Sequence, residues 1–499
     1  MKQNYFNCLI VLLLISSSVF SSTYINGELE YFYMTRLKDS KLVNIPFRLL
    51  DFNVQHQIND NFNIFGNLGI EYRNRRDSDF MTDSNLEDFL LDLRELYMSY
   101  YFANGEIRVG KQIHAWGNID ENSPIDNLNA YDYYYLLLGG SEKKLGAYSL
   151  AYDYTFCNTC DLKFSFVYSP MHNTNRIPIN DPDYPIGLPS GANPSDETLL
   201  FLDNTPYEYG LNLKWSFDFG DISFSHLNLY DRIFNISGLT VYTDENQLGL
   251  RFETVPRYSY RATQAYNLGA VLLFDDFTFS FDHAKFITED QNTIDDFSEL
   301  SNPNYDPNSP ISALLLPSLF IKRAFEESAT YYQTAIQLEI PFPEDIQVNM
   351  QYFKHELSSH HAQDLNITCE TLTSLPAFDD DDCADLELEL GFSLNDFNIE
   401  NIFIPGVGFP YALITPEAVL INIEKVFPDN NLTLDLNTFL DASHGRGRLI
   451  SLEIEYDIGN GFEISFGATK IYGDDDIENY SFNGMEDFSS FRSRITYYF

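Results

Sequence analysis

Between Leu93 and Gly117 the chain gathers side chains suited to handling a polar solute. Arg108, Gly110, Gln112, His114 and Trp116 share one parity, whereas Ile107, Val109 and Ile113 share the other. Across the turn Ala103-Asn-Gly105, the residues Glu95, Tyr97, Ser99 and Tyr101 supply a matching polar face. Side chains alternate across a strand, so this reads as a hairpin with one wet side and one greasy side. Its chemistry is recognition rather than bond-making. Arg108 and Glu95 set charge, Trp116 offers a stacking surface, and Gly110 lets something approach the wall closely. Two readings stay open. The face is a solute-contacting constriction, or it is a buried polar network in which Glu95 pairs with Arg108, because a lone confined charge is costly. Lys111 falls on the apolar parity, where a long side chain snorkels to an interface.

Catalysis finds little support. His283 has the parity of Phe277, Phe279 and Phe281 with Ser280 opposite, and Ser443-His444-Gly445 reads as a turn. Neither places a nucleophile and a base on one face, so no catalytic residue is expected. Cys157, Cys160, Cys369 and Cys383 remain once Cys8 is removed with the leader, and an even count in an exported chain suggests two disulfides. No histidine accompanies the pairs, so a zinc site is not expected, and neither is a cofactor. The runs Asp379–Asp382 and Asp474–Asp476 are solvated loops or loop-bound divalent-cation sites. A net charge of -44 excludes nucleic acid as a partner, since that affinity rests on neutralising phosphates.

The elements that must position these groups are strands. Leu211, Leu213, Trp215 and Phe217 alternate with Asn212, Lys214 and Ser216, and Ile450, Leu452, Ile454 and Tyr456 alternate with Ser451, Glu453 and Glu455. The pattern recurs from end to end. Tight turns at Asp218–Asp221, Phe274–Phe277, Pro343–Asp345, Pro428–Asn430 and Gly459–Gly461 alternate with long polar stretches, including 117–142, 171–205, 288–327 and 355–385. Aromatics reach 16%, with 34 Tyr and 42 Phe, as two interfacial girdles require. The expected fold is all-β: a transmembrane antiparallel up-and-down barrel of about eighteen strands (16–20), with short periplasmic turns and long extracellular loops. Residues 1–22 read as a secretory signal peptide and 23–499 as one barrel domain, with the first strand near Tyr24 and no room for an N-terminal plug. The parity slips between Ile222/Phe224 and Leu227/Leu229, which predicts a β-bulge near Ser225-His226. Two stretches, 311–321 and 402–414, are too apolar for ordinary loops and predict contact with something, inside the barrel or beyond it.

The closing residues Phe491 to Phe499 resemble the C-terminal signal of Gram-negative outer-membrane barrels, with Ile495, Tyr497 and Phe499 as its aromatic-apolar side. The hairpin Leu93-Arg-Glu-Leu-Tyr…Arg108-Val-Gly-Lys-Gln…Trp116-Gly117 resembles a family of large porin-like or alginate-export-like outer-membrane proteins, whose pattern is LREAY, RVGRQ and a tryptophan-glycine. Lys111 stands where that family has Arg, and Leu128 where it has Pro. These resemblances imply outer-membrane lipid, lipopolysaccharide and the barrel-assembly machinery as partners. With the first strand near Tyr24 leaving no room for a plug, a channel for passive passage of small solutes is the expected function. Export or uptake of a hydrophobic or polysaccharide substrate is the alternative, as is a surface adhesion barrel. Oligomeric state is open. Candidate wall residues are Glu95, Tyr97, Arg108, Gly110, Gln112, His114, Trp116, Arg492 and Arg494. Glu453, Glu455, Glu463, Asp435 and Asp282 face Lys163, Lys214, Arg251, Arg492 and Arg494, which predicts mild cation preference.

Overall fold

Strand parity in the sequence translates directly into the two faces of a wall. In the last strand Phe491, Ile495, Tyr497 and Phe499 are exposed on the outside, and Arg492 and Arg494 turn inward to carboxylates. The computed structural model describes residues 22–43, 45–73, 89–120, 122–136, 143–156, 161–178, 206–244, 251–292, 321–363, 403–443, 445–477 and 480–499. Residues 1–21, the four cysteines Cys157, Cys160, Cys369 and Cys383, the run 379–382, His444 and most of the stretch 311–321 lie outside them.

The first wall strands are β1 (Ser22–Arg36), β2 (Pro46–Asn59), β3 (Phe62–Arg73), β4 (Phe89–Phe102), β5 (Gly105–Gln112) and β6 (Ala147–Thr155). They continue as β7 (Leu162–Ser169), β8 (Glu208–Phe217) and β9 (Gly220–Tyr230). After β10 (Asn235–Asp244) and β11 (Arg251–Ser259) come β12 (Ala262–Leu273), β13 (Thr278–Glu289), β14 (Ile321–Ala324), β15 (Ser328–Phe342) and β16 (Ile346–His361). The wall ends with β17 (Glu417–Phe427), β18 (Leu432–Asp441), β19 (Arg448–Gly459), β20 (Phe462–Tyr472) and β21 (Ser490–Tyr498). Eighteen of these form one antiparallel sheet, and β1 pairs with both β2 and β21, so the sheet closes on itself. Closure removes the free edges that hydrocarbon does not tolerate. Strands β10, β11 and β14 make a separate three-stranded sheet built from two long connections, so Arg251 belongs to this sheet and not to a wall strand.

Tight turns gather at one end. At Gly459-Asn460-Gly461 all three residues have positive φ, which suits two glycines and an asparagine. Along β19, Ile450, Leu452, Ile454, Tyr456 and Ile458 are exposed on the outer face. A closed barrel with such an exterior belongs in a bilayer.

The predicted bulge at Ser225-His226 is absent. Strand β9 keeps unbroken register with both β8 and β12. Phe224 faces outward at 58% exposure, and Leu227 and Leu229 face inward at 0% and 2%. They pack with Ile125, Leu128, Ala265, Phe286, Tyr331 and Val407. The slip in parity therefore marks a place where the inside is greasy because a connection fills it. A real bulge occurs in β4, where Asn67 opposes Glu95, Leu68 opposes Leu93, and Arg94 is the extra residue. Elsewhere inside the barrel, Phe32, Met34, Phe47, Tyr72, Phe439 and Ile471 pack against Phe482, Met485 and Phe488 from the last long connection.

Truncating Leu227 to Ala removes a buried lumen contact and should cost about 2–4 kcal/mol. Phe224→Ala, on the lipid face of the same strand, should cost less. Urea titration of refolded barrel in micelles compares the two.

Candidate functional site

The wall hairpin ends at Gln112, where the chain leaves the sheet and turns into the barrel. Residues 117–120 and 122–123 reach the far side. There the Asp282 carboxylate of β13 accepts hydrogen bonds from the Asn118 amide (2.9 Å), the Asn118 side chain (2.8 Å), the Ile119 amide (3.2 Å) and the Ser123 hydroxyl (2.6 Å). Asp120 and Asn122 reach Gln337 and Gln351 on β15 and β16 (both 3.0 Å). A fully buried carboxylate is tolerated because four donors converge on it.

A second segment, 403–416, lies against the first, which answers the sequence expectation for 402–414: it packs inside the barrel. Gly408 donates to the Asn127 side chain (2.8 Å) and Phe409 to Gln333 (2.7 Å), while the Phe409 ring stacks on Phe353 at 3.7 Å. Gly408 has φ +110°, and a Cβ there would lie 2.0 Å from the Gln333 oxygen, so only glycine fits. Arg261 bridges Asp231 (2.7 Å) and Glu327 (2.8 Å) and lies over Phe403. Arg232 joins Glu208 (2.9 Å) to the carbonyls of Asn127 and Leu128. Each buried guanidinium is thus matched by carboxylate, which breaking one partner would leave uncompensated.

Within this frame the predicted wall residues divide. Arg108 pairs with Asp153 (3.2 Å) and approaches Glu106 (3.9 Å), not Glu95. The register explains the difference: Arg108 lies opposite Ser99, four residues from Glu95, which instead accepts the Ile113 amide at 2.7 Å. Gln112 is fully buried and donates to the Ser149 carbonyl (2.9 Å). His114 meets the Ser149 hydroxyl (2.9 Å), and burial pushes its ring down to about 3, so it is neutral. Trp116 packs on the wall where Gly210 leaves room: a Cβ there would lie 2.9 Å from the indole. Gly110 has φ +141° and admits the β4 backbone rather than a solute. Tyr97 rests on Phe65, ring centres 5.3 Å apart. These residues build the loop's anchor more than a bare pore face. His283 points outward to Thr334 (2.8 Å), and Ser280 is buried on the inner side.

The opposite sector carries a charge ladder. Arg492 pairs with Glu453, and Arg494 reaches Glu455 (3.0 Å), Glu453 (3.4 Å) and Glu30 (3.9 Å). Asn422 donates to Asp435 and Asn437 alongside. Arg494 and Glu455 each keep 33% side-chain exposure, well above the buried pairs near the inserted segments. Sequence reasoning missed Glu30, Asp153 and the cluster of Glu71, Asp132 and Arg176. In that cluster Arg176 bridges Glu71 (2.8 Å) and Asp132 (3.0 Å) beneath Tyr134, and Tyr135 donates to Glu71 (3.1 Å). Among the described residues no group of His, Cys, Asp and Glu is arranged to hold a metal.

No family model matches the chain and no curated protein matches it significantly, so the family resemblance of the hairpin has no counterpart there. Solved structures do match in outline. OccK8 (OprE) of Pseudomonas aeruginosa shares 9% identity over 96% of this chain and 98% of that one, with a TM-score of 0.47. OccAB2 of Acinetobacter baumannii shares 10% over 96% and 98%, with a TM-score of 0.44. OccK2 (OpdF) of Pseudomonas aeruginosa, crystallised with glucuronate, shares 8% over 96% and 97%, with a TM-score of 0.45. At these values no residue correspondence is carried across.

Two outcomes test the anchoring. Asp282→Ala should free the crossing segment and raise single-channel conductance at least twofold, read in planar bilayers. Asp132 has its carboxyl raised to about 6, chiefly by burial, against the opposing pull of Arg176. Its folded value lies above the free one, so protonation favours the docked loop, whose stability falls as pH rises from about 4 to about 6 and is flat above. Hydrogen exchange of the 131–135 amides, corrected for intrinsic rate, should follow that course, and Asp132→Asn should flatten it.

Proposed function

We propose that the protein is a passive outer-membrane channel for small polar solutes, whose path runs between the inserted segments and the charge ladder of β18–β21 and β1. The observation that carries this reading is the ladder itself. Glu30, Glu453, Glu455, Arg492 and Arg494 remain partly exposed on the inner face of a closed wall. Charges on an inner face keep their charge only beside water or one another, and a mixed ladder does both. The apolar clusters around the inserted segments narrow the cross-section, and Phe32, Met34 and Phe439, on the ladder's own strands, pack with Phe482 beside it.

Carboxylates outnumber cations along the ladder, with Asp435 and Glu463 adding to those paired with the two arginines. A cation therefore meets a lower barrier than an anion of equal size. Gln112, His114 and Trp116 act by holding the constricting segment, and Arg492 and Arg494 act on the solute. A disulfide Cys157–Cys160 closing the turn between β6 and β7, a disulfide Cys369–Cys383 closing the loop between β16 and β17, and divalent cations bound by acidic loops complete the proposal. Lipopolysaccharide and the assembly machinery are proposed as the partners of the outer belt and of Ile495, Tyr497 and Phe499.

Planar-bilayer recording tests the reading. Purified barrel should give discrete conductance steps with a reversal potential on the cation side at low salt. The double variant Glu453→Gln, Glu455→Gln should move that potential toward zero or into anion preference. A folded barrel that passes no current, or a wild type selective for anions, would refute it.

A further inference from the structure

The wall has a gap in its pairing. Strand β4 is 14 residues long and β5 only 8, and β5 covers β4 from Leu96 to Phe102 alone. From Phe89 to Glu95, β4 is paired with β3 on one side, and among the described residues no strand pairs with it on the other. Eight residues at about 3.3 Å each, tilted by ~40°, climb roughly 20 Å, short of the ~25 Å apolar band of such barrels. Among the described residues the β4 edge above β5 is therefore an unpaired notch at the level of the outer leaflet's hydrocarbon, with Gly146 against it at the Arg94 carbonyl and Leu90 and Leu91 52% and 60% exposed beyond.

Its lip and floor have a definite chemistry. The Lys111 ammonium, on the outer face, reaches across to the Leu93 carbonyl at 2.5 Å. Just behind, Arg94 is the bulged residue, 5% exposed, with its guanidinium against the Tyr135 ring. Its Nε and Nη2 have no hydrogen-bond partner among the described residues. Arg94 and Arg48 both turn toward Asp92, at 3.5 and 3.9 Å, with Arg48 also paired to Asp51. Glu95 is engaged by the Ile113 amide. Donors left open on a buried guanidinium favour a further acceptor, here beside Asp92 and within the fields of Glu95 and Asp132. Inward of the notch, Phe89 and Tyr134 pack on the apolar cluster containing Tyr72.

We propose that this notch is a lateral entry for an amphiphile with an acyl chain and an anionic head. The chain slides past Leu90 and Leu91 toward Phe89 and Tyr134, and the head is received by Arg94 with Lys111 at the lip. The site is separate from the aqueous path along the charge ladder.

A photoactivatable fatty carboxylate is the probe, applied to the folded barrel in micelles and mapped by peptide mass spectrometry. Labelling should saturate, fall within 89–94 or 133–135, and be displaced by oleate but not by oleyl alcohol. Arg94→Gln should lower labelling there at least fivefold. Lys111→Gln, on the outer lip and less disruptive to folding, should lower it two- to threefold, with heat-modifiable gel mobility confirming the barrel in each case. Labelling spread evenly over the outer belt, equal displacement by the alcohol, or folded variants that label like the wild type would overturn the proposal. Conductance of the same preparations reports separately on the aqueous channel, so the two readings fail independently.

Discussion

Everything in this molecule follows from the requirement that no backbone amide or carbonyl be left bare in hydrocarbon. The requirement is met by the seam between β1 and β21, which turns a sheet into a cylinder. Once the wall is closed, parity has only two destinations. Apolar residues such as Ile454 and Trp215 face the membrane, and the remainder share a confined interior. The interior is too wide for wall side chains to fill, so the connections fill part of it.

How they fill it is a matter of paired charges and borrowed apolar surface. Asp282 gathers four donors from one short stretch of the crossing segment, Arg232 holds the same segment at the Asn127 and Leu128 carbonyls, and Arg261 holds the second at Ile404 and Phe403. Around these fixed points Leu227, Phe286, Tyr331 and Phe409 form cores of the kind found in soluble domains. The polar remainder is displaced to one sector, where Arg492 and Arg494 stand among carboxylates.

The wall was readable in the sequence because its information is local. Alternation over a strand's length and the turn residues Gly459-Asn-Gly461 each act within a few positions, and the expected eighteen strands are the strands observed. The contents of the barrel were much less readable, because they depend on partners far apart in the chain: Asn118 with Asp282, Asn127 with Gly408. One local trace did exist. Leu227 and Leu229 broke the parity of β9, and the break was assigned to the backbone when its cause was a packed interior. The Glu95–Arg108 pair failed for a related reason: facing parity brings two residues to one surface, and only register decides whether they touch.

The bond between Gly408 and Asn127 joins two insertions separated by most of the wall. Neither insertion can reach its final position until strands from β5 through β16 stand in order around it. Filling of the cylinder is therefore a late event in the molecule's formation, governed by the slow closure of a very long loop rather than by local propensity.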